Sequence, residues 1–196
     1  MKIKFVICPE IPSHIKSTDY NSNLKFSKGS HDWRSLASEL YAFEYIGIKT
    51  ILWEEDELIT KYAQKGIKIP ECIAVDPLDP SNNISVEVKR ICGNSLPLDC
   101  SGQIRRKLRN RRDQITWPWG KTILDSFLKA HPIIINEMNV KTHHIIFVVP
   151  NSLSKKNLNK LCRHVYSHIC ERYLDILNCD AVIHIIQGND NMFDRF

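Results

Sequence analysis

The sequence contains no apolar run of the roughly 20 residues that a membrane-spanning helix needs. Its first nine residues are apolar and strand-like, but this stretch is too short for the hydrophobic region of a secretory signal. The seven cysteines include no CxxC pair, and their odd number argues against a disulfide framework. These absences predict a soluble cytoplasmic protein with reduced thiols and no association with a membrane.

The motifs of several common enzyme classes are also missing. The chain has no GxSxG, no Walker loop and no GxGxxG, so hydrolase triads, nucleoside triphosphatases and dinucleotide enzymes lack support. The cysteines and histidines between residues 162 and 170 fall on one predicted helix. Four ligands on a single helix cannot converge on a tetrahedral zinc ion, so a zinc site is not expected there.

The composition is that of an ordinary globular domain. Hydrophobic residues make up 43% and charged residues 25% of the 196 positions, and the net charge is +5. A chain of this length can bury a real core, and it contains no internal repeat. We expect a single domain over 1–196, with a strand and arm at 1–32, a core at 33–187 and a polar tail at 188–196.

Hydrophobic periodicity predicts both helices and strands. Strands are expected at 2–8, 48–53, 72–75, 84–89, 143–149 and 181–186, and helices at 33–46, 54–64, 120–130 and 155–177. The last two strands are continuously apolar and are separated by a helix, which indicates a parallel pair joined by a crossover. The predicted fold class is α/β, with a mixed central β-sheet flanked by helices on both faces.

A hairpin in the middle of the chain carries the most informative side chains. Glu87 and Lys89 are two residues apart on one strand, so both leave the same face of the sheet. If the hairpin folds about Pro80, Glu71 lies opposite Lys89 and shares that face. Two converging carboxylates suit a hard cation such as Mg²⁺, which prefers oxygen ligands.

Pro70-Glu71, followed after fifteen residues by Glu87-Val88-Lys89, resembles the PD-(D/E)xK nuclease superfamily, which has the restriction-endonuclease-like fold. The resemblance implies a nuclease that depends on Mg²⁺ or Mn²⁺ and hydrolyses phosphodiester bonds of nucleic acid, expected to be DNA. It also implies that Glu71 and Glu87 bind the cation, together with the backbone carbonyl of Val88. Lys89 would then assist the attacking water.

Two positions of this predicted site stay open. Glu71 stands where the family has aspartate, so Asp76 or Asp79 is an alternative second ligand, although Asp76 differs from Glu71 in strand parity. In the family an acid on the first helix often joins the site, and Glu39 is preferred to Glu44 for that role. Solvent exposure of both helix acids is the competing interpretation.

A basic segment follows the hairpin. Six of the eight residues from 105 to 112 are cationic, with no acid before Asp113. These are Arg105, Arg106, Lys107, Arg109, Arg111 and Arg112. Such a cluster releases counterions from phosphates and binds nucleic acid without sequence preference. Trp117 and Trp119 come directly afterwards, either to stack on bases or to pack in the core.

Two further functions remain open. The chain could be a catalytically inactive nucleic-acid-binding subunit that retains the nuclease fold, and the glutamate at position 71 favours this alternative. It could also be an interaction domain whose basic segment binds an acidic protein. Cutting both strands of a duplex requires two active sites, which a homodimer or a partner subunit would supply.

Overall fold

The structure of the protein is a computed structural model, and it is described for residues 1–8, 33–90, 124–150 and 174–188. Its strands are β1 (Ile3–Cys8), β2 (Ile51–Glu54), β3 (Cys72–Val75), β4 (Asn83–Arg90), β5 (Val140–Pro150) and β6 (Asp180–Gly188). Its α-helices are α1 (Trp33–Ile46), α2 (Glu55–Tyr62), α3 (124–129) and α4 (Pro132–Glu137). None of the helices in these ranges combines the length and apolar character that crossing a bilayer requires.

The six strands form one mixed sheet in the order β1-β6-β5-β4-β3-β2. Strands β2, β3 and β4 form an antiparallel meander, whereas β5 is parallel to β4 and β6 is parallel to β5. Strand β1 pairs in parallel with β6 and completes the sheet. The predicted mixed α/β sheet and its parallel pair are therefore confirmed. Helices α3 and α4 lie in the crossover from β4 to β5.

Successive side chains of each strand point to opposite faces of the sheet, and an apolar layer lies on each face. Helix α1 packs on one face, where Tyr41 and Ala42 contact a cluster that includes Val86 and Val88. Helices α2 and α4 cover the other face, where Leu58 and Ile134 belong to a second cluster. This second face is the one to which the odd-numbered residues of β4 point, since successive side chains of a strand alternate between faces.

Several element boundaries differ from the sequence prediction. Strand β2 begins at Ile51 rather than at residue 48, and residues 174–176 form a 3₁₀ turn where the last long helix was expected to continue. Helix α4 was not predicted. It begins because Pro132 suits the first helical position and because His131 Nδ1 accepts a hydrogen bond from the backbone N–H of Ile133 at 3.3 Å.

The register of the β3–β4 hairpin also corrects one expectation. Cys72 pairs with Val86, so the residue before β3, Glu71, lies across from Glu87 rather than from Lys89. The turn is fixed by Asp79, whose carboxylate accepts a hydrogen bond from the backbone N–H two residues later. A shift of two residues preserves strand parity, so Glu71 stays on the predicted face.

Candidate active site

A cleft of about 340 Å³ opens where β3 begins and β4 ends. Its lining residues are Ser38 and Glu39 of α1, Glu55 of α2, Glu71 before β3, Val88, Lys89 and Arg90 of β4, and Lys129 of α3. Three acids and three cations therefore face the same space, although they come from segments that are far apart along the chain. Only the tertiary fold brings these charges together.

A cluster of four charged groups lies at the cleft: Glu71, Lys89 and Lys129 line it, and Glu87 is buried beneath them. Glu87 is completely buried, and its two carboxylate oxygens are ion-paired with different lysines. Lys129 Nζ lies 2.7 Å from Glu87 Oε2, while Lys89 Nζ contacts Oε1. Glu71 Oε1 lies 3.7 Å from Lys89 Nζ and 3.8 Å from Lys129 Nζ. Each ammonium group thus bridges the two carboxylates.

The electrostatics of this four-charge cluster follow from burial. Burial raises the pKa of Glu87 because desolvation disfavours its charged form, and the ammonium groups of Lys89 and Lys129 oppose that rise. Burial also lowers the pKa of Lys89, but the carboxylates of Glu87, Glu71 and Glu55 together outweigh this effect, so the pKa of Lys89 is raised. The pairing of opposite charges therefore offsets part of the cost of desolvating them.

A buried hydrogen-bond chain connects this region of the sheet to α3. His143 Nε2 donates to the backbone carbonyl of Ser126 at 2.9 Å. His143 Nδ1 must then accept, and the Ser85 hydroxyl donates to it at 2.7 Å. Burial lowers the pKa of His143 to about 4, so its imidazole is neutral at pH 7. The chain links β4, β5 and α3, the helix that carries Lys129.

The core of the predicted site is brought together by the fold. Glu71, Glu87 and Lys89 lie on one face and in contact, as the strand parity predicted. Glu39 lines the same cleft from α1. Val88 lines it as well, but its side chain packs in the apolar cluster under α1, which leaves its backbone for the cleft.

The alternative carboxylates lie elsewhere. Asp76 does not line the cleft; its Oδ1 accepts a hydrogen bond from the backbone N–H of Leu78 at 2.8 Å, and its charge acts on His144 of β5. Asp79 is occupied within the hairpin turn, where Ser81 donates to it. Asp76 therefore lies away from Glu71, as its strand parity indicates, and the structure does not bring it to the predicted metal site.

The predicted nucleic-acid contacts are outside the described residues. This applies to the basic segment and to the tryptophans that follow it: Arg105, Arg106, Lys107, Arg109, Arg111, Arg112, Trp117 and Trp119. Their part in binding stays a prediction from the sequence.

Sequence reasoning missed Lys129. A lysine near the end of an amphipathic helix is normally a surface residue, and nothing in its neighbourhood in the sequence distinguishes it. The signal available was its place in the crossover after β4, because such helices cover the sheet beside the strand that they follow. Arg90 and Glu55 were missed for a similar reason: they come from strand and helix ends that meet only in the folded chain.

The donor atoms that a divalent cation would meet at the cleft are the carboxylate oxygens of Glu71 and Glu87. Within the described ranges, no three His, Cys, Asp or Glu residues are arranged to hold a metal ion. Glu87 nevertheless presents two buried oxygens that accept no hydrogen bond from any backbone N–H, hydroxyl or amide in the described part of the chain. A buried carboxylate of this kind, with Glu71 beside it, fits a hard cation that completes its shell with water.

A histidine pair lies on the opposite face of the sheet. His144 Nδ1 and His184 Nε2 are 2.9 Å apart, and the two rings are nearly parallel. His184 Nδ1 is buried without a hydrogen-bond partner among the described residues, so the less costly tautomer has His184 Nε2 as the donor. Burial lowers the pKa of His144 to about 4 and that of His184 to about 3.

No protein-family model matches the chain, and comparisons with curated proteins and with solved structures find no match either. The geometry of the cleft is therefore the basis for any function given to this protein.

Proposed function

We propose that this protein is a divalent-metal-dependent endonuclease that hydrolyses phosphodiester bonds of nucleic acid, with DNA as the expected substrate. The observation that carries the proposal is the contact of Lys89, which lines the cleft, with both Glu71 at the cleft surface and Glu87 buried behind it. Two carboxylates can hold a divalent cation, and an amine beside them can orient a water and contact a phosphate, which suits metal-assisted phosphodiester hydrolysis. The restriction-endonuclease-like core belongs to the same proposal.

In this mechanism Glu71 and Glu87 would hold Mg²⁺ or Mn²⁺, and the resemblance implies the backbone carbonyl of Val88 and the side chain of Glu39, which line the same cleft, as further ligands. The cation would supply positive charge beside the attacking water and the scissile phosphate. Lys89 orients the water and contacts the phosphate. The water oxygen forms a bond to phosphorus, the bond to the leaving sugar oxygen breaks, one water proton passes to solvent, and the leaving oxygen takes up a proton.

The basic segment at 105–112 supplies affinity in this proposal. Contacts to phosphates position the substrate without specifying a sequence, and each contact releases counterions. Binding should therefore weaken with salt, with a logarithmic slope of about −0.9 per phosphate contact on duplex DNA. Such salt-dependent binding to duplex DNA would argue against the alternative in which the basic segment binds an acidic protein.

The test is a plasmid-nicking assay with and without Mg²⁺ on purified wild type, Glu87→Gln and Lys89→Met. Both variants should lose cleavage by at least about 100-fold, because Glu87→Gln removes a ligand of the cation and Lys89→Met removes a positive charge beside the scissile phosphate. DNA binding should persist, since neither side chain belongs to the basic segment. Lys65→Met is the matched control, because Lys65 pairs with Glu137 and does not line the cleft.

The proposal is wrong if Glu87→Gln cuts at the wild-type rate, or if the wild type cuts equally well in EDTA. Circular dichroism and a melting curve for each variant establish that lost cleavage is not lost folding.

A second candidate is an inactive nucleic-acid-binding subunit with the same fold. Two observations favour it. The two lysine ammonium groups already neutralise Glu71 and Glu87, and three metal-ligating side chains do not converge in the described part of the chain. Calorimetric titration with Mn²⁺ separates the candidates. Binding that Glu87→Gln abolishes supports the nuclease, whereas DNA binding without any Mn²⁺ uptake supports the inactive subunit.

A further inference from the structure

The cleft contains one lysine more than the acid-x-lysine motif supplies. Lys129 Nζ lies 2.7 Å from Glu87 Oε2 and 3.8 Å from Glu71 Oε1. Lys89 makes the corresponding contacts with the same two acids. Both lysines also line the cleft, and the side chains of Lys129 and Lys89 are 17% and 31% exposed, respectively. Both ammonium groups are therefore partly desolvated and yet accessible to a bound molecule.

Lys129 is placed by its helix. Ser126 and Phe127 of α3 are completely buried, and the carbonyl of Ser126 accepts the hydrogen bond from His143. Ser126 and Lys129 are three residues apart, so they share one side of the helix. The hydrogen bond that fixes Ser126 to the sheet therefore also fixes the root of the Lys129 side chain above Glu87.

We propose that Lys129 is a second catalytic lysine, whose ammonium group would contact the scissile phosphate when Glu71 and Glu87 hold a divalent cation. This inference rests on the proposed nuclease function. The Lys129 ammonium group would leave the two carboxylates on metal binding, because it contacts the same oxygens that would hold the cation. The flexible lysine stem then allows the ammonium group to turn into the cleft, which it already lines.

A charge count within the four-charge cluster explains why two lysines are useful. The two carboxylates and two ammonium groups cancel in the free protein. A divalent cation adds two positive charges, while a bound phosphodiester brings one negative charge and its phosphorane-like transition state brings a second. The cluster thus matches the charge of the transition state better than that of the substrate, which accelerates the reaction.

The first measurement is steady-state cleavage by wild type, Lys129→Met, Lys129→Arg and the control Lys65→Met. Lys129→Met should lower kcat by about 100-fold with little change in KM, since the lost contact forms mainly in the transition state. Lys129→Arg keeps the positive charge, so its kcat should lie between that of Lys129→Met and that of the wild type. Lys65→Met should behave as wild type.

The second measurement needs no catalysis. In calorimetric titration with Mn²⁺ alone, Lys129→Met should bind the ion about tenfold more tightly than wild type, because no ammonium group has to be displaced. Lys129→Arg and Lys65→Met should stay near the wild-type affinity. If Lys129→Met does not fold, Lys129→Gln replaces it, since the shorter polar chain leaves less buried apolar surface without a partner.

The outcomes distinguish this inference from the function on which it rests. A Lys129→Met protein with wild-type kcat, or with unchanged Mn²⁺ affinity, overturns the role of Lys129 and leaves the nuclease proposal standing. A wild-type protein that cleaves no nucleic acid overturns both. Loss of kcat together with tighter Mn²⁺ binding supports the second lysine.

Discussion

At the scale of single residues, the site depends on polar groups that the core holds in place. Ser85 and His143 are completely buried, yet each has a partner, because a buried polar group without one is costly. Their chain ends at a backbone carbonyl of α3. The Ser85 hydroxyl on β4 thereby helps to position α3, the helix that carries Lys129.

Replacing Ser85 with Ala should lower the free energy of unfolding by about 1–3 kcal/mol, because His143 Nδ1 would be buried without a donor. Urea unfolding followed by circular dichroism measures the change. Thr60→Ala is the control: it also removes one hydroxyl hydrogen bond, but on the exposed side of α2, and it should stay within about 0.5 kcal/mol of wild type. Equal effects of the two substitutions would contradict the importance of the buried chain.

At the scale of elements, the end of α1 determines where β2 can begin. Gly47 has a φ of +77°, and the backbone N–H of Ile48 donates to the carbonyl of Phe43 at 2.9 Å. This is the hydrogen bond of a Schellman motif, which turns the chain sharply out of a helix. The chain then runs to the edge of the sheet, and α1 remains on one face with Glu39 at the cleft.

Gly47→Ala should destabilise the protein by about 1 kcal/mol, since an L side chain is disfavoured in this left-handed conformation. Steric conflict is not the cause, because an added Cβ would lie 3.8 Å from the Pro77 side chain, an ordinary contact. Gly47→Asn should cost less, as asparagine tolerates this conformation. Thermal unfolding of the two variants checks the order, and an alanine protein as stable as wild type would refute it.

At the scale of the whole molecule, three buried histidines make stability depend on pH. His143, His144 and His184 all have a lowered pKa, chiefly because burial disfavours the charged imidazole. They lie on both faces of the sheet, so their protonation affects the packing of both apolar layers. The raised pKa of Glu87 has the opposite effect on the pH dependence of stability, but Glu87 is a single group and the histidines are three.

Stability should therefore be highest above pH 6.5 and fall as the pH drops from 6.5 toward 4. In that range the unfolded chain binds protons at its histidines, whose ordinary pKa is about 6.5, and the folded protein does not. Between pH 7 and pH 5 the loss should be on the order of 2 kcal/mol for each histidine. Urea midpoints measured across this range test the trend, and His184→Gln should reduce it; a constant midpoint would contradict it.

Much of the architecture was predictable because it depends on residues that are close together in the sequence. The alternation of β4 determines which side chains share a face, so spacing alone places Glu87 and Lys89 side by side. The continuous apolar runs of β5 and β6 predicted buried parallel strands for the same reason. Helix α4 was not predicted, because its start depends on the cap by the single side chain of His131 and hydrophobic periodicity does not reveal such a cap.

The sequence by itself determined the strands, their faces and the acid-x-lysine group, since each depends on spacing along one segment. Only the tertiary structure decided that Glu71 lies across from Glu87, that Asp76 lies away from the cleft and that Lys129 contacts both acids. The physical reason is that strand register and helix docking depend on packing between distant segments. Residues 87 and 129 become neighbours only when α3 closes over the sheet.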